Sequence, residues 1–216
     1  MVGCPRIGFL RFARSVERGE EIPPAAESGD EALVRLAQGG DREAIARLVT
    51  LHSPRLYRFL VALTGDKTTS EDALQDTWLR VMERIDQYRS SLSFIGWLFG
   101  IARHRALDLL RQRSRSLGLE RFAREDSETG SGELPADSTP SALDAMVADD
   151  LSQCVAKALR AIPTPLREVI LLRFKEGLAI EEIGRALHLP LSTVKSRLYR
   201  GLEQLRLRVE RMNRHE

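Results

Sequence analysis

The sequence predicts an all-α fold, with two helical domains joined by a flexible acidic linker and the second ending in a helix-turn-helix. Three observations carry this prediction. Apolar residues recur at helical spacing from Asp30 into the arginine-rich stretch before Ser116, and again from Leu151 onward. Between Ser116 and Asp150 the period is lost and acidic residues dominate. Near the end, Ala179 to Arg200 carries two short helical patterns on either side of Pro190. The 216 residues, 43% hydrophobic and 30% charged, suit a soluble globular protein of one large or two small domains. The formal net charge of +2 says little about partners, and its distribution says more.

Residues 1–28 have no helical period, and Pro23-Pro24 begins a stretch that reads as a flexible N-terminal extension with no assigned function. The first domain is expected over 29–115. Leu33 and Leu36 begin an apolar helix face that Gly39-Gly40 stops. Asp41 is placed to cap a second helix with Ile45, Leu48, Val49, Leu56, Phe59, Leu60 and Leu63 inward. Pro54 is expected to kink or interrupt this helix, and Gly65-Asp66 to end it.

Thr69 or Ser70 caps the third predicted helix, whose core stripe is Leu74, Trp78, Val81, Met82 and Ile85. Asp72, Gln75, Asp76, Leu79 and Glu83 gather on another face. An acidic face around one leucine suits a protein-docking surface, and equally a solvated helix side. A polar loop from Gln87 to Ser93 leads to a fourth helix with Phe94, Trp97, Leu98, Ile101 and Ala102 as its apolar residues. Arg103, His104 and Arg111 lie on one side of it, and Arg105, Arg113 and Arg115 add charge. Such a cluster fits phosphate contact and stacking on unpaired bases, or simply a charge-rich helix end.

The linker, 116–150, sets nine carboxylates against Arg121 and Arg124, with Gly130, Gly132, Pro135 and Pro140 breaking any period. As a flexible chain it averages about 30 Å end to end. The second domain is expected over 151–216. Leu151, Val155, Leu159 and Ile162 form a helix stopped at Pro163, and Val169, Ile170, Leu172 and Phe174 form another closed by Gly177. Ile180, Ile183 and Leu187 then mark a short amphipathic helix with Glu181 and Glu182 in its first turn, and Pro190 is expected to end it. Ser192 is the expected cap of the last helix, whose stripe is Val194, Leu198, Leu202, Leu205, Val209 and Met212. Lys195, Ser196, Tyr199 and Arg200 share a different face. Two helices, a tight turn and a basic, hydrogen-bonding second helix suit major-groove DNA, or an ordinary helical hairpin.

Several classes are disfavoured. Cys4 and Cys154 form no CxxC, so neither a disulfide framework nor structural zinc is expected. The four histidines have no carboxylate or cysteine at ligand spacing, and no HExxH, P-loop or GxGxxG occurs. No enzyme activity, metal or cofactor is therefore expected. No apolar run approaches the roughly 18 residues of a membrane span. Ile7 to Phe12, broken by Arg11, is too short for a signal-peptide core, so a cytoplasmic location is expected.

Three motifs in order resemble one family. Ser70-Glu-Asp-Ala-Leu-Gln-Asp-Thr-Trp-Leu-Arg-Val, Trp97-Leu-Phe-Gly-Ile-Ala-Arg-His, and Pro165-Leu-Arg-Glu-Val-Ile-Leu-Leu-Arg-Phe through Ser192-Thr-Val-Lys-Ser-Arg-Leu-Tyr-Arg are similar to segments of bacterial sigma-70 family factors. Two such blocks around a linker, with no domain between them, resemble the extracytoplasmic-function (ECF) group. The resemblance implies that Asp72, Gln75, Asp76, Leu79 and Glu83 dock on the clamp-helix coiled coil of core RNA polymerase, with the second domain near its flap. It implies that Tyr88, Arg89, Ser90, Ser91, Arg103, His104 and Arg111 capture the −10 strand. Thr193, Lys195, Ser196, Arg197, Tyr199 and Arg200 would face the −35 duplex, the linker would follow the RNA path through polymerase, and an anti-sigma factor would hold the monomer inactive, in some cases at the membrane. The sequence departs from the family pattern at three positions. Ala179 replaces a usual Ser/Thr cap, His104 a common asparagine, and Gly100 a usually larger or charged residue. The rival is a helix-turn-helix transcription regulator with a helical effector domain, which leaves the Asp72–Glu83 face unexplained.

Overall fold

Residues 30–89, 93–116 and 153–212 are described by the structure, a computed structural model. The N-terminal extension, nearly all of the acidic linker, and Ser90 and Ser91 lie outside the described residues. The described residues are helical throughout: α1 (Asp30–Gln38), α2 (Arg42–Thr64), α3 (Lys67–Arg84), a 3₁₀ turn (Ile85–Gln87), α4 (Phe94–Ser116), α5 (Gln153–Arg160), α6 (Thr164–Ile170), α7 (Ile180–Leu187) and α8 (Leu191–Met212). The all-α expectation with a C-terminal helix-turn-helix is met.

Local chemistry sets most boundaries. The Asp41 carboxylate accepts from the Glu43 and Ala44 amides at 2.8 and 3.2 Å, satisfying two donors the first turn of α2 cannot. Gly65, at φ 74°, closes α2 with its amide on Val61 O. The cap of α3 is Asp66 rather than Thr69 or Ser70, because its side chain reaches the Thr69 amide at 2.8 Å. The Thr69 and Ser70 hydroxyls instead bond backwards to Asp66. Pro54 does not end α2. It sits on the solvent side between the buried Leu48 and Leu56, where packing on both flanking turns outweighs one lost hydrogen bond.

Two expected core positions turn outward. Leu36 is exposed while Val34 and Ala37 face in, so the face of α1 is rotated by one residue. Met82 is 45% exposed, because Trp78, Val81 and Ile85 fill the inner stripe of α3. In the C-terminal half, α6 ends in a π turn over Leu171–Lys175, with Glu176 N bonded to Leu171 O at 3.1 Å, before Gly177 at φ 68°. The stop of α7 is His188 rather than Pro190. His188 adopts φ 54°, and the Leu189 amide bonds back to Gly184 O at 2.8 Å. Helix α8 then begins at Leu191, so Ser192 lies inside its first turn and Pro190 O receives the Val194 amide at 3.1 Å. Ala179 offers no capping side chain, and Glu182 supplies the reciprocal half by accepting its amide at 2.8 Å.

One apolar core runs through both halves. Leu56, Phe59, Leu60, Leu63, Leu98 and Phe99 are continuous with Ile162, Leu171, Leu172, Leu178 and Ile183. Phe59 and Phe99 meet edge to face at 5.0 Å between centroids.

A buried polar pair sits at the edge of this core. His52 Nε2 lies 3.1 Å from Asp30 Oδ1, with the ring 5.7 Å from that of Phe94. Burial pushes the His52 pKa below 6.5, partly opposed by Asp30. The unfolded chain therefore takes up this proton first, so the contribution is complete above pH 6.5 and is lost as pH falls through the folded value. Urea unfolding at pH 7.5 and 5.5 is expected to show a larger acid loss in the wild type than in His52→Gln, which keeps a donor for Asp30. Equal losses would remove His52 as the cause.

Candidate polymerase- and DNA-binding surfaces

Three surfaces emerge. On α3, Ala73, Thr77, Trp78 and Val81 are buried, which leaves Asp72, Gln75, Leu79 and Glu83 in solvent. Leu79 is 53% exposed, and Met82 stands three residues on, so the apolar anchor is larger than one leucine. Asp76 is half-buried and engages Arg105 of α4, while Glu83 pairs with Arg80 at 2.9 Å. Four of the five expected docking residues are thus open, and the fifth also braces α3 against α4.

The second surface lies where α3 passes into α4. The Gln38 side chain donates to Ile85 O and Tyr88 O at 2.9 and 3.1 Å, pinning the 3₁₀ turn and Tyr88 to α1. Arg89 and His104 are exposed. Tyr88 is not placed as expected. It is 8% exposed, with its ring 5.3 Å from Trp97 and 5.9 Å from Phe94, because a large ring beside two other aromatics gains more from burial than from solvent. Much of the positive charge of α4 is already paired: Arg105 with Asp76, Arg111 with Asp108 at 3.0 Å, and Arg113 with Asp66 at 2.6 Å. Arg103 reaches across to the other half of the protein, where its guanidinium forks onto Glu168 at 2.7 and 3.2 Å.

The third surface is the outer face of α8. Val194, Leu198 and Leu205 are buried against the core, and Gly201 brings the helix so close to α6 that an added Cβ would lie 2.8 Å from Ile170 Cδ1. This seating presents Lys195, Ser196, Tyr199 and Arg200 to solvent together, with Tyr199 63% exposed and Thr193 half-buried at the edge. Arg197 is half-buried and turns toward Glu168 at 3.4 Å.

Sequence reasoning missed the residues between the halves. Glu168 is fully buried between Arg103 and Arg197. Arg55 donates to Glu176, and Arg167 donates to Leu63 O at 2.7 Å. Burial raises the Glu176 carboxyl pKa, with Arg55 opposing the shift. The available signal was an Arg167-Glu168 pair inside an otherwise apolar helix, which demands internal partners. Among the described residues, no group of His, Cys, Asp and Glu is arranged to hold a metal. No described helix is long and apolar enough to cross a membrane.

Comparison with known proteins agrees with this geometry. The Sigma-70 region 2 profile matches residues 48–116, and the Sigma-70 region 4 profile matches residues 152–205. The chain is 30% identical over 184 residues to the ECF RNA polymerase sigma-E factor of Escherichia coli (strain K12), covering 84% of this chain and 94% of that one. The structure of CnrH in complex with the cytosolic domain of CnrY aligns with a TM-score of 0.60 at 25% identity, over 85% of this chain and 98% of that one. The sigma factor RpoE, solved in complex with the anti-sigma factor NepR from Bartonella quintana, shares the fold with a TM-score of 0.58 at 23% identity, over 76% of this chain and 96% of that one. The chain belongs to the ECF group of sigma-70 family sigma factors, the non-catalytic subunits that direct RNA polymerase to promoters.

Proposed function

We propose that the protein works as a cytoplasmic monomer gripping polymerase with one face and promoter DNA with two others, on domains spanning 29–115 and 151–216 joined by the acidic stretch 116–150. The observation that carries this is the outer face of α8, where Lys195, Ser196, Tyr199 and Arg200 stand exposed together on a helix seated by Gly201. Four hydrogen-bonding groups on one helix face match the width and donor pattern of a major groove, here the −35 element, with Thr193 and Arg197 at its border. Asp72, Gln75, Asp76, Leu79 and Glu83 dock on the clamp helices of core polymerase.

Arg89, Ser90, Ser91, Arg103, His104 and Arg111 hold the −10 non-template strand, with Tyr88 packed against Phe94 and Trp97 beside them. Holding bases out of the stack costs a few kcal/mol per step, which base capture and phosphate contacts on this surface offset. The relative RpoE is solved with an anti-sigma factor, and a protein of that class is the inhibitor proposed for this chain.

Transcription reconstituted with core polymerase, with start-site mapping, tests the reading. Arg200→Ala is expected to weaken the preferred −35 element by about 1–3 kcal/mol, roughly 5- to 150-fold, while relaxing choice at one base. Tight duplex binding by the free protein with no effect on polymerase would instead indicate a helix-turn-helix regulator.

A further inference from the structure

We propose that Met82 is a second apolar anchor of the polymerase-docking face of α3, and that its oxidation to the sulfoxide switches this face off. The inference rests on the docking role given to α3 in the preceding section. Ala73, Thr77, Trp78 and Val81 fill the inner side of α3, so Met82 has no place in the core and stands 45% exposed. At about 100° per residue it lies roughly 60° around the helix from Leu79, on the side of Gln75, with Asp76 and Glu83 on the other. Leu79 is itself 53% exposed, so two large apolar side chains stand open as neighbours three residues apart. Single exposed apolar residues are ordinary. An adjacent pair bordered by Asp72, Gln75 and Glu83 has the form of a small apolar centre with a polar rim.

Of the side chains on this face, only the methionine thioether changes polarity under a mild two-electron oxidant. Its sulfur gives a lone pair to one oxygen of hydrogen peroxide and the O–O bond breaks. The other oxygen leaves as water, taking the proton of the transferred one, so sulfur is oxidised by two electrons and peroxide reduced by two. The sulfoxide is polar where the thioether was apolar and pliable. Pressed against a partner, it forfeits the apolar burial and leaves its oxygen without the water that solvated it. Methionine sulfoxide reductases reverse the step with a dithiol, which becomes a disulfide as the oxygen leaves as water. Because Met82 lies outside the core, oxidation there spares the fold and falls on docking. Met212, the other methionine among the described residues, packs against the core.

The test uses full-length protein treated with hydrogen peroxide, then with catalase and dithiothreitol to remove the oxidant and reduce the cysteines. Peptide mass spectrometry reads the sulfoxide at Met82, and competition with a labelled reference sigma factor reads affinity for untreated core polymerase. Full oxidation is expected to weaken wild-type binding by roughly tenfold with the thermal midpoint unchanged. Methionine sulfoxide reductases A and B should restore it. Met82→Leu should bind like reduced wild type and keep its affinity through the same treatment, which separates Met82 from Met1, Met146, Met212 and both cysteines. Met82→Gln, polar and inert to peroxide, should reproduce the loss without oxidant. Fully oxidised wild type that binds like the reduced protein, or a loss that Met82→Leu shares, overturns the switch. A Met82 that stays reduced while the other methionines oxidise overturns the site. Asp72→Lys separates the two layers of the reading. Weak binding by Asp72→Lys beside wild-type affinity in Met82→Gln overturns the anchor and leaves the docking face standing, whereas wild-type affinity in both overturns the docking face itself.

Discussion

Replacing Asp76 with lysine is expected to abolish promoter-specific transcription by the reconstituted holoenzyme. Asp76 lies half-buried among Asp72, Gln75 and Leu79 on α3, with Arg105 as its internal partner. A lysine there sets two cations together and reverses the charge at the centre of the docking face, where losing a charge partner desolvated on binding costs about 2–5 kcal/mol, or roughly 30-fold to several thousand-fold in polymerase affinity. Competition with a labelled reference sigma factor for core polymerase measures the loss, and run-off transcription gives the functional readout. Because Asp76 also joins α3 to α4, Asp72→Lys is the companion variant. It is exposed, so it should weaken polymerase binding while thermal unfolding stays unchanged. An Asp76→Lys protein that transcribes at the wild-type level would rule out this face as the docking surface.

The largest loss of stability is expected from Arg167→Leu. Arg167 is 9% exposed and donates to Leu63 O at 2.7 Å, and to Arg160 O and Ile162 O at 2.8 Å each. Burial, with Arg160 beside it, lowers its pKa to about 10, so it remains charged at neutral pH. Each carbonyl left without a donor costs about 1–3 kcal/mol, and the whole change about 3–5 kcal/mol, a large share of the stability of an ordinary domain. Urea unfolding followed by circular dichroism should show a clearly lower midpoint. Arg167→Lys should recover only part of it, because one ammonium cannot span carbonyls on two sides of a planar fork. A Leu variant with the wild-type midpoint would remove Arg167 from the contacts that join the two halves.

Arg167 also marks where sequence reasoning stops. Its neighbours Leu166, Val169 and Ile170 predict an inward helix, and they are buried. What they cannot predict is that Arg167 reaches a carbonyl 104 residues away. The same holds for Arg103, whose position suggested a nucleic-acid contact and whose fork is occupied by Glu168, 65 residues on. Signals acting within one turn were legible: the Asp41 cap, the Gly65 stop, and the alternation that leaves Lys195, Ser196, Tyr199 and Arg200 outside. Where several residues competed for one local role, the reading slipped by a few positions. Asp66 took the cap that Thr69 and Ser70 could have supplied, and His188 stopped α7 before Pro190 could. Tyr88 misled for a different reason, since an aromatic residue in a polar loop serves equally as a stacking platform or as a plug.

By itself, then, the sequence determined the helices, most of their inward faces and the helix-turn-helix, because periodicity and proline or glycine geometry act over a few residues. Only the tertiary structure decided which charges meet. Glu168, Arg103 and Arg197 come from three helices distant in the chain, and an added Cβ at Gly100 would meet Ala186 O of α7. An ion pair depends on distances in space and on the water removed around it. Linear spacing carries neither quantity, so the seam between the two halves is visible only in the folded protein.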